Sequence, residues 1–253
     1  MKRISRTIVF AFCIAALFSC AKEIEQEVET LGDEIVPEGY TLQTFSAISE
    51  DTKTSISGGN TVWNAGDQIK VIFSDGSASD PFTLTGGANT TTGEFQGLVP
   101  NGKTASYAVY PASAFSSVSS STVNVIVPAS QPGTFAAGNI AVAKVGAGNS
   151  MAFKNVNAFL VFQLKSGTDV TRVEVTSVDG GNLAATVPVS CSGDPTPGNA
   201  FSGTQSGTVS MSTDGAGIYY MSIVPGVTHA KGLKMTYYAG DTETGVYYLN
   251  KTL

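Results

Sequence analysis

The chain has 253 residues and a formal net charge of −6, with 14 Lys and Arg against 20 Asp and Glu. This acidic balance argues against nucleic acid as a partner, because phosphate binding requires clustered Lys and Arg. A zinc site made of Cys and His is excluded as well, since the sequence has one histidine and two of its three cysteines lie in the first 20 residues. No cofactor is expected.

The first 19 residues predict a lipoprotein signal peptide. Basic residues at positions 2, 3 and 6 precede the apolar run Ile8–Leu17, which is too short to remain as a membrane-spanning helix. A small residue, Ser19, stands before Cys20, as lipoprotein processing requires for cleavage between the two. Cys20 would then carry diacylglycerol and a further acyl group such as palmitate, which together hold a protein on a membrane. The alternative is an ordinary secretory signal in which Cys20 has no role.

Residues 20–39 predict an acidic tether without a core of its own, unstructured or transiently helical. Its acidic residues are Glu23, Glu25, Glu27, Glu29, Asp33, Glu34 and Glu38. One interpretation is a solvated spacer between the membrane and the folded part. The other is an address, because Cys20–Glu25 resembles the acidic export signals that carry lipoproteins of the Bacteroidetes to the outer face of the outer membrane.

From Tyr40 onward the sequence predicts β structure almost throughout. Short runs rich in β-branched and aromatic residues are separated by Gly, Ser, Asn, Asp and Pro. The predicted strands include Gln68–Phe73, Ser106–Tyr110, Thr122–Val127, Phe159–Leu164, Arg172–Ser177, Ile218–Val224 and Leu233–Tyr238. No stretch keeps a helical apolar period for four turns, so we expect an all-β protein built of sandwiches.

The Gly- and Ser-rich stretch Val145–Ser150 is the best linker candidate. A division there gives an N-terminal β-sandwich over 40–147 and a C-terminal one over 148–253, each of about the usual size for such a domain.

Residues that could support catalysis are sparse, and we expect the protein not to be an enzyme. His229 is the single histidine and lies in a predicted turn, where an exposed side chain is expected, and no G-x-S-x-G elbow accompanies it. The oxygen-rich loop Asp75–Asp80 lacks the alternating acids of a calcium loop, so a plain turn and no metal is predicted. Cys191 has no basic neighbour to activate its thiol and is expected to be half-buried at a strand end.

Three adjacent tyrosine pairs offer a second class of function. On a strand, one member of each pair must face away from the core. The pairs are Tyr219-Tyr220, Tyr237-Tyr238 and Tyr247-Tyr248. If the outward tyrosines formed an exposed row, they would favour a non-polymerising surface lipoprotein that binds glycan or host protein. Otherwise they decorate strand edges.

Six segments resemble the fimbrillin-like proteins of the Bacteroidetes in order and spacing, across nearly the whole mature sequence. The segments are T-K-T-S at 52–55, V-W-N-A-G-D-Q-I-K-V at 62–71, Y-A-V-Y-P at 107–111, V-P-A-S-Q at 127–131, I-A-V-A at 140–143 and F-K-N-V at 153–156. Their motif residues are Trp63, Gly66, Asp67, Tyr110, Pro111, Pro128, Gln131, Phe153 and Asn155.

This resemblance implies two tandem transthyretin-like β-sandwich domains in a lipoprotein subunit of surface fimbriae, or in a relative at their base or tip. In that family a protease cuts behind an Arg or Lys in the N-terminal region. Loss of the first strand then bares a groove that a strand from the next subunit fills, so the implied partners are other fimbrial subunits. Adhesion is the implied role.

Two departures from the family bear on polymerisation. The mature sequence has a single arginine, Arg172, in the predicted second domain, which leaves Lys22 and Lys53 as candidate maturation sites. Family members also usually continue beyond the end of this sequence into one more strand, so either the sequence is clipped or the last sheet is incomplete.

Overall fold

The computed structural model describes residues 30–31, 34–49 and 62–252, and this part of the protein is nearly all β, as predicted. The strands in sequence order are β1 (Thr30–Leu31), β2 (Glu34–Ile35), β3 (Tyr40–Ser49), β4 (Gln68–Phe73), β5 (Ala78–Gly86), β6 (Thr92–Pro100), β7 (Ala105–Tyr110), β8 (Phe115–Ser119), β9 (Thr122–Val127), β10 (Ser130–Gln131), β11 (Ala141–Lys144), β12 (Ser150–Asn155), β13 (Ala158–Leu164), β14 (Arg172–Ser177), β15 (Ala184–Ser190), β16 (Thr196–Pro197), β17 (Ser202–Ser206), β18 (Thr208–Ser212), β19 (Gly217–Ile223), β20 (Leu233–Ala239) and β21 (Thr242–Leu249).

In the part of the protein that the structure describes, helical structure is limited to single turns. The helix α1 spans Phe135–Gly138, and 3₁₀ turns span Ala112–Ala114 and Ala147–Asn149. Thr134 caps α1, since its side chain accepts a hydrogen bond from the Ala137 N–H at 3.4 Å. Among the described residues no helix has the length and apolar character needed to cross a membrane.

The described residues fall into two units, with the division between Glu38 and Gly39. In the first unit, β1 pairs antiparallel with β2. The described part of the predicted tether thus contains a short strand pair, whereas the sequence favoured an unstructured or helical segment. Two residues on each side suffice for this pairing, which needs no apolar core.

In the second unit, seven strands form a closed sheet in the order β11-β12-β3-β6-β5-β4-β7. Its interior is filled by the inward residues of each strand. The large side chains inside include Phe45, Trp63, Ile69, Phe82, Phe95, Tyr110, Met151 and Phe153. Alternation along the strands produces this core, because every second residue points inward.

A second sheet, β16-β15-β9-β8 with β17 also paired to β15, packs against the outside of the closed sheet. Outward residues of the closed sheet, such as Ile72, Val109 and Val142, meet Val125 and Val187 of the second sheet. β7 is therefore buried on both faces, with Ala108 and Tyr110 inside the closed sheet and Val109 in this second core.

A third core lies between the sheet β10-β18-β14-β20-β21 and the two-stranded sheet β13-β19. In this sandwich a sheet of five strands therefore packs against a sheet of only two strands. Within the described ranges β13 has a paired neighbour on one side alone, and Val161 at its middle is 53% exposed. The half-buried Leu160, Phe162 and Met235 lie near this uncovered part of the sandwich.

The stretch Val145–Ser150, predicted as a linker, is instead a tight connection between adjacent strands of the closed sheet. Val145 bridges Met151, and β12 pairs with both β11 and β3. A Gly- and Ser-rich composition suits a turn as well as a linker, which is why the sequence did not separate the two. The strands on either side of the predicted boundary at 147/148, β11 and β12, pair with each other, and the number of domains stays a prediction.

Candidate functional site

The first strand of the second unit, β3, completes the closed sheet. It pairs antiparallel with β6 along nearly its whole length and parallel with β12 over Ser46–Ser49. Phe45 and Ala47 point inward and are fully buried. Phe45 packs edge-on against Phe82, with ring centroids 5.5 Å apart. β3 therefore closes the sheet through its backbone and fills the core through two side chains.

Trp63, the aromatic residue of the V-W-N-A-G-D segment, anchors the core of the closed sheet. Three rings surround it edge-on, with centroid distances of 5.0 Å to Phe95, 5.2 Å to Tyr110 and 5.5 Å to Phe153. Trp63, Tyr110 and Phe153 come from three of the predicted motif segments. The structure thus brings these motif residues together as a packing cluster.

The turn before β4 holds Gly66 and Asp67. Gly66 has φ +86°, a left-handed conformation that favours glycine. Asp67 Oδ2 accepts a hydrogen bond from the Asn64 N–H at 2.7 Å, and Asp67 Oδ1 accepts one from the Tyr110 hydroxyl at 3.0 Å. The turn is therefore tied directly to the end of β7.

Burial controls the ionisation of this pair. Desolvation raises the pKa of Asp67, and the hydrogen bonds from Asn64 and Tyr110 offset only part of that effect. The pKa of Tyr110 is raised too, first by burial and then by the neighbouring Asp67 charge. Tyr110 is thus a permanent hydrogen-bond donor at physiological pH.

Gln131 joins two elements that are distant in sequence. Its side-chain amide donates to the carbonyls of Pro128 and Ser222, each at 2.7 Å, and its Oε1 accepts from the Ser222 N–H at 2.7 Å. The side chain thereby replaces a strand neighbour for β19. Pro128 and Gln131, both motif residues, act together in this connection.

The two remaining motif residues have plain structural positions. Pro111 follows a cis peptide bond after Tyr110 and begins the turn that leads to β8. Asn155 ends β12, opposite Ala141 of β11, and is half-buried.

His229 is buried, with 2% of its surface exposed, which corrects the prediction of an exposed loop histidine. Its Nδ1 lies 2.9 Å from Ser177 Oγ, and that hydroxyl donates to Asp179 Oδ1 at 2.6 Å. Because serine has one hydroxyl proton, His229 must donate from Nδ1 to Ser177 Oγ. A hydrolytic triad requires the reverse, with histidine accepting the serine proton. Composition gave no sign of this burial, since Ser177 lies 52 positions earlier in sequence.

Two further predicted sites resolve into local structure. The Asp75 carboxylate forms an ion pair with Lys103 and accepts from Ser77, which leaves it engaged within the turn. Across the described ranges no three metal-ligating side chains converge. Cys191 is fully buried rather than half-buried, and burial raises the pKa of its thiol to about 11.

The tyrosine pairs do not form one exposed row. Tyr219 is buried, and Tyr220 packs against Phe135 and Phe159. Tyr238 has the Arg172 guanidinium 3.6 Å from its ring centroid, so one of its faces is already covered. The exposed Tyr247 and Tyr248 are consecutive in β21 and point to opposite faces of the sheet.

Comparisons with known proteins found a structural likeness at low sequence identity. No protein-family model and no curated protein matches the sequence. A crystal structure from Bacteroides ovatus ATCC 8483, described as that of a candidate cell adhesion protein, is similar with a TM-score of 0.45 and 13% sequence identity. The similarity covers 82% of the present protein and 86% of that one.

Four predicted site residues lie outside the described part of the protein. They are Ser19 and Cys20 of the lipoprotein signal, and Lys22 and Lys53, the candidate maturation sites. Lys53 falls between β3 and Trp63 in sequence, whereas Lys22 precedes β3.

Proposed function

We propose that the protein is a non-enzymatic lipoprotein of the outer membrane surface, anchored through Cys20 until its maturation cleavage. It serves as a structural or accessory fimbrial subunit that assembles by strand exchange and mediates adhesion. The sequence resemblance supports this proposal, and one structural feature carries most of its weight, which is the position of β3.

β3 is the element that strand exchange would replace. It is the first strand of the closed sheet, it precedes Lys53, and it contributes the buried Phe45 and Ala47. Cleavage after Lys53 would separate β3 from everything that follows it, so that non-covalent contacts alone would hold this strand. Cleavage after Lys22 would leave β3 attached.

Release of β3 would leave a gap that favours a replacement strand. β6 and β12 would each present an unpaired backbone edge, and the rings of Phe82, Phe95 and Phe153 would lose cover. Unpaired edges over an apolar groove are unfavourable in water until another strand restores the hydrogen bonds and the packing. That requirement is the physical basis of assembly.

The alternative function, a non-polymerising surface lipoprotein that binds glycan or host protein, is favoured by one observation. A groove of about 770 Å³, lined partly by Phe135, Tyr219 and Tyr220, lies away from β3. The glycan form of this alternative lacks the exposed row of tyrosines that it would require.

Strand exchange can be tested with the purified protein. A recognition sequence for a site-specific protease is inserted after Lys53, the protein is cut there, and a fluorescent peptide with the sequence of Tyr40–Ser49 is added. We expect the cut protein to take up this peptide and the uncut protein not to. A peptide of the same composition in scrambled order is the control. Failure of the cut protein to take up the native peptide would contradict the proposal.

A further inference from the structure

Residues 129–133, here called the strap, accompany two strands that belong to different sheets, β18 and β19. The strap runs between the two strands and bonds to both. On one side Ser210 N–H donates to the Ala129 carbonyl at 2.7 Å, and β10 pairs parallel with β18. On the other side Tyr220 N–H donates to the Gly133 carbonyl at 3.1 Å. Together with Gln131 at Ser222, the strap covers the second edge of β19.

The strap does not extend along the whole of β19 and leaves the start of this strand uncovered. After Gly133 the backbone turns at Thr134 into α1. Backbone groups two residues apart on a strand point to the same edge, so Ile218 presents its backbone to the edge that the strap covers at Tyr220. Within the described residues, the strap makes no backbone hydrogen bond to Ile218. Among the described residues, the start of β19 at Ile218 thus lacks on this edge the neighbour that Tyr220 and Ser222 have.

A groove lies beside Ile218, where the strap turns away from β19 at Thr134. Its volume is about 770 Å³, within the usual range for ligand sites. Pro132, Phe135 and Tyr220 form an apolar wall, and Ile218 contributes a side chain that is 58% exposed. Covering this exposed isoleucine and the neighbouring aromatic rings with another apolar side chain would lower the free energy of the complex.

The lining of the groove includes one acidic side chain, Asp214. Asp214 carries the only formal charge among the described residues that line it, and no lysine or arginine lines it. The carboxylate is held in position, because the Tyr219 hydroxyl donates to Asp214 Oδ1 at 2.7 Å and accepts from the Asp214 N–H at 3.1 Å. A fixed carboxylate beside an apolar wall is complementary to a cationic side chain next to an apolar one.

We propose that this groove binds an extended peptide segment of a partner protein, with a lysine or arginine placed against Asp214 and an apolar side chain over Ile218. The peptide backbone pairs with the free edge of β19 and continues the course of the strap. This site is separate from β3 and does not require strand exchange. It gives the protein a way to hold a partner whether or not it polymerises.

The test uses the full-length protein and a fluorescein-labelled peptide, Val-Thr-Val-Lys-Val-Thr, with binding followed by fluorescence anisotropy. Two matched peptides replace the lysine by glutamate or methylate the backbone nitrogens. We expect the glutamate peptide to bind about fivefold more weakly or worse, since an exposed charge pair contributes up to about 1 kcal/mol. The methylated peptide should not bind, because it cannot pair with a strand edge.

Protein variants locate the binding. Ile218→Lys should abolish it, and Asp214→Asn should remove the preference for lysine over glutamate. Val161→Lys is the control, because Val161 is similarly exposed in the same two-stranded sheet but lies on β13. Absence of binding by the lysine peptide would overturn the proposal, as would binding that Ile218→Lys leaves intact or that Val161→Lys removes equally.

Discussion

The Tyr110 hydroxyl donates a hydrogen bond to Asp67 Oδ1 at 3.0 Å, although the two residues lie 43 positions apart. This bond connects the turn before β4 to the end of β7, and the same tyrosine ring packs against Trp63. Three motif residues are thereby held in one structural unit. Residues from two of the motif segments therefore support the same part of the fold.

Replacement of Tyr110 by Phe should lower the free energy of unfolding by about 1 to 3 kcal/mol, because the half-buried Asp67 Oδ1 is left without its donor. Urea denaturation followed by tryptophan fluorescence measures the change. Tyr248→Phe is the control, since Tyr248 is exposed and its loss of a hydroxyl should leave stability unchanged.

The free energy of unfolding should fall as pH rises through the range in which Asp67 ionises. Burial raises its pKa in the folded protein, so the folded state binds the proton more tightly than the unfolded state does. Between the ordinary pKa of 3.8 and the raised folded pKa, the wild type should therefore lose stability relative to Asp67→Asn. Paired denaturation curves from about pH 3 to 7 test this. A difference that stays constant or grows in favour of the wild type would be inconsistent with it.

Asp179 should have the opposite effect, because its contribution to the free energy of unfolding is lost as pH falls. The hydrogen bond from Ser177 is the main cause that lowers its pKa to about 2, from the ordinary value of 3.8. Its contribution to stability should be fully present above about pH 4 and should be lost as pH falls towards about 2. Comparison of the wild type with Asp179→Asn over this range would show the loss. Asp241→Asn, at an exposed aspartate in the last hairpin, is the control.

Phe45→Ala should destabilise the protein by about 3 to 5 kcal/mol, because the truncation leaves a cavity beside Phe82 in the closed sheet. Ile48→Ala, on the exposed face of the same strand, should have little effect. If the two substitutions changed the unfolding midpoint equally, β3 would not be anchored by its inward side chains.

Gln131→Ala should leave the N–H and the carbonyl of Ser222 without the partners that this side chain supplies. Each buried group without a partner costs about 1 to 3 kcal/mol, so a large fall in thermal stability is expected. Gln163→Ala, at an exposed position of β13, is the matched control. An effect no larger than that of the control would mean that the β19 edge is satisfied in another way.

Sequence periodicity predicted seven of the described strands, which are β4, β7, β9, β13, β14, β19 and β20. β4, β9 and β14 have the predicted bounds, and β13, β19 and β20 differ by a single residue at one or both ends. Alternation is a local property, and these strands keep it because one face of each meets a core. How the strands pair was not predictable, because β12 and β3 are far apart in sequence, with Ser150 opposite Ser46.

The motif residues were predicted as a set, but their roles were only partly accessible. Trp63 packs at the centre of the closed sheet, and Gly66 and Asp67 lie in the turn before β4. The hydrogen bonds of Gln131 and the burial of His229 depend on tertiary neighbours that no local pattern indicates. The groove beside Ile218 was missed for the same reason, since its walls come from three separated segments.

Strand exchange requires that β3 be removed and replaced by a strand of another subunit. N-terminal mapping and gel migration, with and without boiling, of the protein recovered from the cell surface examine this requirement in the native setting. We expect a detergent-resistant ladder that collapses on boiling, with a new N-terminus directly after Lys53. A single band that retains an acylated Cys20 would contradict strand exchange and leave a non-polymerising surface lipoprotein.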